Sequence, residues 1–102
     1  MLKTEAMQTK NLIAVSEFCI NHNIEFSFIR TLQETGLIEI ATIEETAFIG
    51  ADQLPQVEKF IRFYYDLDIN MEGIDTITHL LQRMNAMQDE IIMLRNRLSL
   101  YE

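Results

Sequence analysis

From Asn70 onward the apolar residues keep a steady rhythm. Ile77, Leu80, Met84, Met87, Ile91, Leu94, Leu98 and Tyr101 are spaced alternately three and four apart. This is an a/d heptad seam held for nearly four heptads, with no Gly or Pro after Gly73. A helix over Asn70 to Glu102 would be roughly 45 Å long. The roughly 70 residues before it would make a body only about 28 Å across, from the usual scaling of radius of gyration with length. The helix therefore outruns its own domain, and its distal seam needs a partner. A second copy of the chain is the simplest candidate. The dimerising residues expected are Met84, Met87, Ile91, Leu94, Leu98 and Tyr101. Arg83, Arg95 and Arg97 flank them together with Glu90 and Glu102, which does not fix whether the helices run parallel or antiparallel.

The pattern before Asn70 is broken into short elements. Residues 1–11 are polar and predict a frayed or edge segment. Leu12 to Val15 predicts a short strand. Ser16 is placed to cap a helix over Glu17 to His22, with Val15 and Ile20 as a hydrophobic staple. Phe18 and Cys19 give that helix its buried side. Asn21-His22-Asn23 is turn chemistry. A second helix over Glu25 to Thr35 buries Phe28, Ile29 and Leu32 and stops at Gly36. Two short helices joined by a tight turn make a helix-turn-helix unit.

Leu37 to Ile43 then predicts a strand, Glu44-Glu45-Thr46 a turn and Phe48-Ile49 the return strand, so that a β-hairpin wing follows the helical pair. Asp52 should cap a third helix over Gln53 to about Tyr65, with Pro55 in its first turn. Leu54, Val57, Phe60, Ile61 and Tyr64 supply its core stripe. Asn70 caps the long helix, with Ile69 and Ile74 as a second staple. Gly73, unfavourable inside a helix by about 1 kcal/mol, suggests a close approach of the third helix. The expected domains are thus 1–69, a winged helix-turn-helix domain, and 70–102, a long dimerisation helix.

Charge narrows the function. The net charge is −8, with only eight Lys and Arg in 102 residues. Residues 25–50 carry one base, Arg30, against Glu25, Glu34, Glu39, Glu44 and Glu45. A nucleic-acid binder needs a basic footprint to displace phosphate counterions, and no segment here is net basic. The balance points to a basic protein partner or to solubility alone. One cysteine makes no internal disulfide. No run of about 18 apolar residues suggests a membrane span, and no apolar leader follows Met1. A cytoplasmic protein fits these features.

Little in the chain supports catalysis. Cys19 and His22 stand three apart on a predicted helix. A thiolate–imidazole pair would also need an orienting group and an oxyanion hole, so a buried cysteine beside a turn histidine is the simpler reading. His79 lacks the companions a metal site requires. No Gly-rich phosphate loop is present. No catalytic residue, metal, cofactor or small-molecule substrate is expected. Met84 and Met87 lie on the seam, where packing explains them better than promiscuous binding. Two acidic groups remain: Glu39, Glu44 and Glu45 on the predicted wing, and Asp66, Asp68 and Glu72 around the start of the long helix. Either is a solvated surface or a docking face for a basic helix. Phe26, Phe63 and Tyr65 fall off the core stripes and are candidate apolar anchors.

The order helix-turn-helix, wing, helix, long helix resembles the MerR-like regulators. Glu17-Phe18-Cys19, Gly36-Leu37-Ile38, Glu44-Glu45-Thr46, Gly73-Ile74 and Leu94-Arg95-Asn96-Arg97-Leu98-Ser99 are similar to segments of the chaperone-modulator CbpM family, and the resemblance runs from about Leu12 to the end. It implies an inhibitor that binds the J-domain of a DnaJ-like, CbpA-type co-chaperone, blocks its work with DnaK and can suppress its DNA binding. It also implies antiparallel pairing of the long helices. A basic second helix, characteristic of J-domains, would be the surface that the six carboxylates meet. Against DNA-binding MerR proteins the departures are clear. Thr31 and Leu32 follow Arg30 where a Tyr pair is usual, and Glu39 to Thr46 replaces a wing rich in Arg.

The fold expected is therefore mainly α: a MerR-like winged helix-turn-helix domain with a small β-hairpin wing and a long C-terminal coiled-coil-type helix. The function expected is J-domain inhibition. A MerR-type DNA-binding transcriptional regulator and a structural adaptor with another partner are the alternatives.

Overall fold

The computed structural model describes residues 11–101. The expectation for residues 1–10 and the flanking role of Glu102 lie outside these. Three short strands form one antiparallel sheet in the order β1-β3-β2: β1 (Leu12–Ala14), β2 (Ala41–Ile43) and β3 (Thr46–Gly50). Ile13 stands opposite Ile49, and Ala41 opposite Phe48. Four helices follow the predicted order: α1 (Val15–His22), α2 (Phe26–Thr35), α3 (Leu54–Ile61) and α4 (Met71–Ser99).

The core joins all of these except β2. Val15 and Phe18 of α1, Ile29 and Leu32 of α2, Ile49 of β3, Val57 and Phe60 of α3 and Ile74 of α4 are all at most 2% exposed. The turn between α1 and α2 puts Asn23 in the left-handed region (φ 53°), where asparagine is tolerated. Gly36 does the same after α2 (φ 86°), and its N–H and that of Leu37 close the last turn of the helix. The helix-turn-helix unit thus follows from local chemistry plus one apolar face per helix.

Several local expectations are corrected. The first helix starts at Val15 because β1 runs straight into it; Ala14 is the extended N-cap and Ser16 lies inside the first turn. Ile20 is 78% exposed, so it forms no staple with buried Val15. Leu37–Ile40 is not a strand. The N–H of Glu39 donates to the Gln53 side-chain oxygen and its carbonyl accepts from the Gln53 amide, both at 2.8 Å, so one side chain takes the place of a strand neighbour. The turn of the wing is shorter than expected, since Thr46 already pairs with Ile43. Asp52 sits within a 3-10 turn (Ala51–Gln53) ahead of α3 rather than at its N-cap. The third helix ends in a wide π-helical turn (Arg62–Asp66) instead of a regular one.

α4 begins as its sequence suggests. The Asn70 side chain accepts from the Gly73 N–H at 2.8 Å, and Ile69 packs against the cluster that buries Ile74. Gly73 has a different cause from the one expected. A Cβ there would stand 2.7 Å from Ile69 Cγ2 and 3.2 Å from Asn70 Oδ1. The crowding comes from the helix's own staple and cap, not from α3. Thr78 is the last buried side chain, its hydroxyl donating to the Ile74 carbonyl at 2.8 Å. From His79 to Tyr101 every residue is exposed, and the molecule extends 58 Å along its longest axis.

Candidate functional site

The surface a winged helix-turn-helix would offer to DNA is negative here. α2 carries one base, Arg30, beside Glu34. Its two threonine hydroxyls donate back to the helix, Thr31 to the Ser27 carbonyl and Thr35 to the Thr31 carbonyl. The wing tip is a two-residue turn of Glu44 and Glu45, both exposed and both left-handed (φ 49° and 67°). Such a turn usually takes Asn-Gly, because a β-carbon is unfavourable there. Two carboxylates are held at the tip against this local preference.

The acidic residues fall into two places. Glu39 is tied to Gln53, just ahead of α3, and Glu44 and Glu45 lie at the wing tip. Asp66, Asp68 and Glu72 lie beyond the other end of α3. The helical stretch between Gln53 and Asp66 is roughly 20 Å long, so the six carboxylates form two faces rather than one.

The second face holds a feature the sequence reading missed. Tyr64 was expected in the core stripe, yet it is 39% exposed, and its neighbour Tyr65 is 43% exposed. The π-helical turn widens the backbone, with the Leu67 N–H donating to the Arg62 carbonyl at 3.0 Å and that of Ile69 to the Phe63 carbonyl at 2.8 Å. The two consecutive rings then meet edge to face at 5.0 Å, and both lie against Phe28, at 4.8 and 5.3 Å. The Tyr65 hydroxyl accepts from the Glu25 N–H at 3.4 Å. These rings open onto a cavity of about 340 Å³ lined by Tyr64, Tyr65, Asp68, Ile69 and Asn70. The one sequence signal for it was the run Tyr64-Tyr65-Asp66-Leu67-Asp68. Of the three expected anchors, Phe26 and Tyr65 are exposed, while Phe63 packs on the core.

The long helix presents its whole distal seam to solvent. Met84 is 62% exposed, Leu98 61%, and Met87, Ile91 and Leu94 about half. Tyr101 is also exposed but follows the helix in a terminal turn. A family model described as MerR HTH family regulatory protein matches residues 13–96. The chain belongs to the MerR helix-turn-helix family. No curated protein and no solved structure gives a significant match.

The remaining candidate groups of this MerR-family protein have structural partners. Cys19 is buried, and that burial pushes its thiol pKa up, away from a reactive thiolate. His22 stacks on Phe18 at 4.1 Å, its Nδ1 lies 3.2 Å from the Phe18 carbonyl, and its Nε2 lies 3.5 Å from Glu58 Oε2. Both ring nitrogens are thus directed away from a pairing with Cys19. His79 pairs with Asp75 one turn before it. Among the described residues no group of three or more His, Cys, Asp or Glu is placed to hold a metal, and no helix is long and apolar enough to cross a membrane.

Proposed function

We propose that this MerR-family protein is a non-catalytic modulator that grips a basic protein surface, the J-domain of a DnaJ-like, CbpA-type co-chaperone, and inhibits its co-chaperone activity. It acts as a homodimer paired through Met84, Met87, Ile91, Leu94, Leu98 and Tyr101. The observation that carries this reading is the wing tip. Glu44 and Glu45 stand where a DNA-binding relative needs cations, in a backbone conformation unfavourable to them. With the carboxylates of Glu39, Asp66, Asp68 and Glu72 they repel a phosphate backbone and favour a basic helix. The resemblance of short segments to the CbpM family supports this partner class.

Two measurements test it. A pull-down with the J-domain of the co-chaperone from the same cell should retain that domain at micromolar concentration, and the protein should lower J-domain-stimulated ATP hydrolysis by DnaK. A gel shift with duplex DNA at low salt should show no retention. Tight duplex binding that weakens steeply with salt would return the protein to the DNA-binding regulators of its family. Failure to retain the J-domain would leave an adaptor with another partner.

A further inference from the structure

We infer that the cavity beside the π-helical turn is a receptor for one arginine or lysine side chain of the basic partner; this rests on the docking reading above and selects one of the two acidic faces as its anchor point. Two cavities among the described residues differ in chemistry. The larger, about 400 Å³, runs between the loop after α2, α3 and α4 and is lined by Lys59, Gln56, Gln82, Asn85 and the aliphatic Leu37 and Leu81. It has a cation of its own and no ring. The smaller is lined by two half-exposed tyrosines and by Asp68.

Rings and a carboxylate around one opening are the combination that recognises an organic cation. The ring faces attract a cation within about 6 Å through their quadrupoles, and they pack the methylenes behind it. The carboxylate supplies the charge-assisted hydrogen bond. No Lys or Arg lines this cavity, so the site is open to a cation from outside. Its geometry is set in advance. Phe28, itself 4% exposed, backs both tyrosine rings. The wing-tip glutamates line neither of these cavities. They steer association, whereas the cavity retains the partner.

The test compares variants of the protein against the J-domain by stopped flow or biolayer interferometry. Asp68 is exposed and left-handed (φ 57°), a conformation asparagine tolerates, so Asp68→Asn folds as the parent does. It and Tyr65→Leu should each raise the dissociation rate about tenfold, while Tyr65→Phe, which keeps the ring face, should stay near wild type. Glu44→Lys with Glu45→Lys should slow association, most at low salt, and leave dissociation unchanged. Wild-type dissociation rates for Asp68→Asn and Tyr65→Leu would overturn the cavity assignment while leaving J-domain binding intact. If the wild-type protein does not hold the J-domain at all, the docking reading falls, and the cavity is tested alone by titrating arginine amide and following the ring resonances of Tyr64 and Tyr65 by NMR. Shifts at these rings that vanish in Asp68→Asn support the site; no shift at tens of millimolar overturns it.

Discussion

Replacing Ile91 and Leu94 with Glu should convert the proposed dimer to a monomer and melt much of the long helix. In the single chain Ile91 is 45% exposed and Leu94 54%. Burying the exposed half of such a side chain contributes about 1 kcal/mol, half the value for a whole Leu or Ile. Two positions on two chains make about 4 kcal/mol, close to three powers of ten in dissociation constant. A carboxylate facing the seam only adds to this. Glutamate is nearly as good a helix former as leucine, so the substitutions do not break the helix directly. The helix is lost for another reason. No side chain after Thr78 is buried by the head, and an unsupported helix of about twenty residues is marginal in water. Sedimentation equilibrium at tens of micromolar should report a monomer, and circular dichroism should show a lower helical signal. Asn96→Glu, off the seam, is the control and should remain dimeric. A double variant that sediments as a dimer would refute the seam. So would wild-type helicity that persists on dilution to a monomer, because the tail would then need no mate.

Further outcomes follow from single sites. Glu44→Asn with Glu45→Gly gives the wing tip its preferred residues, and should stabilise the protein by about 1–2 kcal/mol, read at fixed concentration as a melting point higher by roughly 5–10 °C. Gly73→Ala should lower the melting point despite alanine's better helix propensity, because its Cβ would stand 2.7 Å from Ile69 Cγ2. In an Ile69→Leu background, which lacks that branch methyl, the same change should be neutral or stabilising; equal effects in both backgrounds would refute the steric account. Cys19 should react with a disulfide reagent far more slowly than the unfolded chain. Since burial raises its pKa in the fold, its contribution to stability is complete below the ordinary thiol pKa and is lost as pH rises through the folded value. Cys19→Ala should therefore flatten the alkaline fall in melting point, and an unchanged profile would refute the linkage.

Legibility followed the range of the forces involved. The end of α2 at Gly36, the turn at Asn23 and the Asn70 cap rest on contacts within a few residues, so residue type alone revealed them. The core faces of α2 and α3 and the exposed seam of α4 followed from periodicity. What escaped depends on residues far apart in the chain. Leu37–Ile40 has the composition of a strand, but Gln53 takes the hydrogen bonds of Glu39. Tyr64 falls on the apolar stripe, but the wide turn at Arg62–Asp66 rotates it out against Phe28. Val15 and Ile20 have staple spacing, yet β1 feeds α1 without a break and leaves Ile20 in solvent. Both acidic groups were visible as residues.

Family and function are read from different atoms of this chain. The MerR architecture depends on which positions are apolar: Phe28, Ile29 and Leu32 on α2, Val57 and Phe60 on α3, Ile49 in the wing and Ile74 on α4. None of these carries charge, and none restricts what lies at the tip of the wing. A head can therefore keep its fold while its surface changes sign, and the sign selects the partner. In this chain Arg30 is exposed, Glu44 and Glu45 occupy a turn that disfavours them, and Asp68 lines a cavity with two exposed tyrosines. A requirement for solubility alone would be met by carboxylates anywhere on the surface. It gives no reason to place two of them in left-handed backbone or to set one beside an aromatic cavity. The proposed recognition of a basic protein accounts for both.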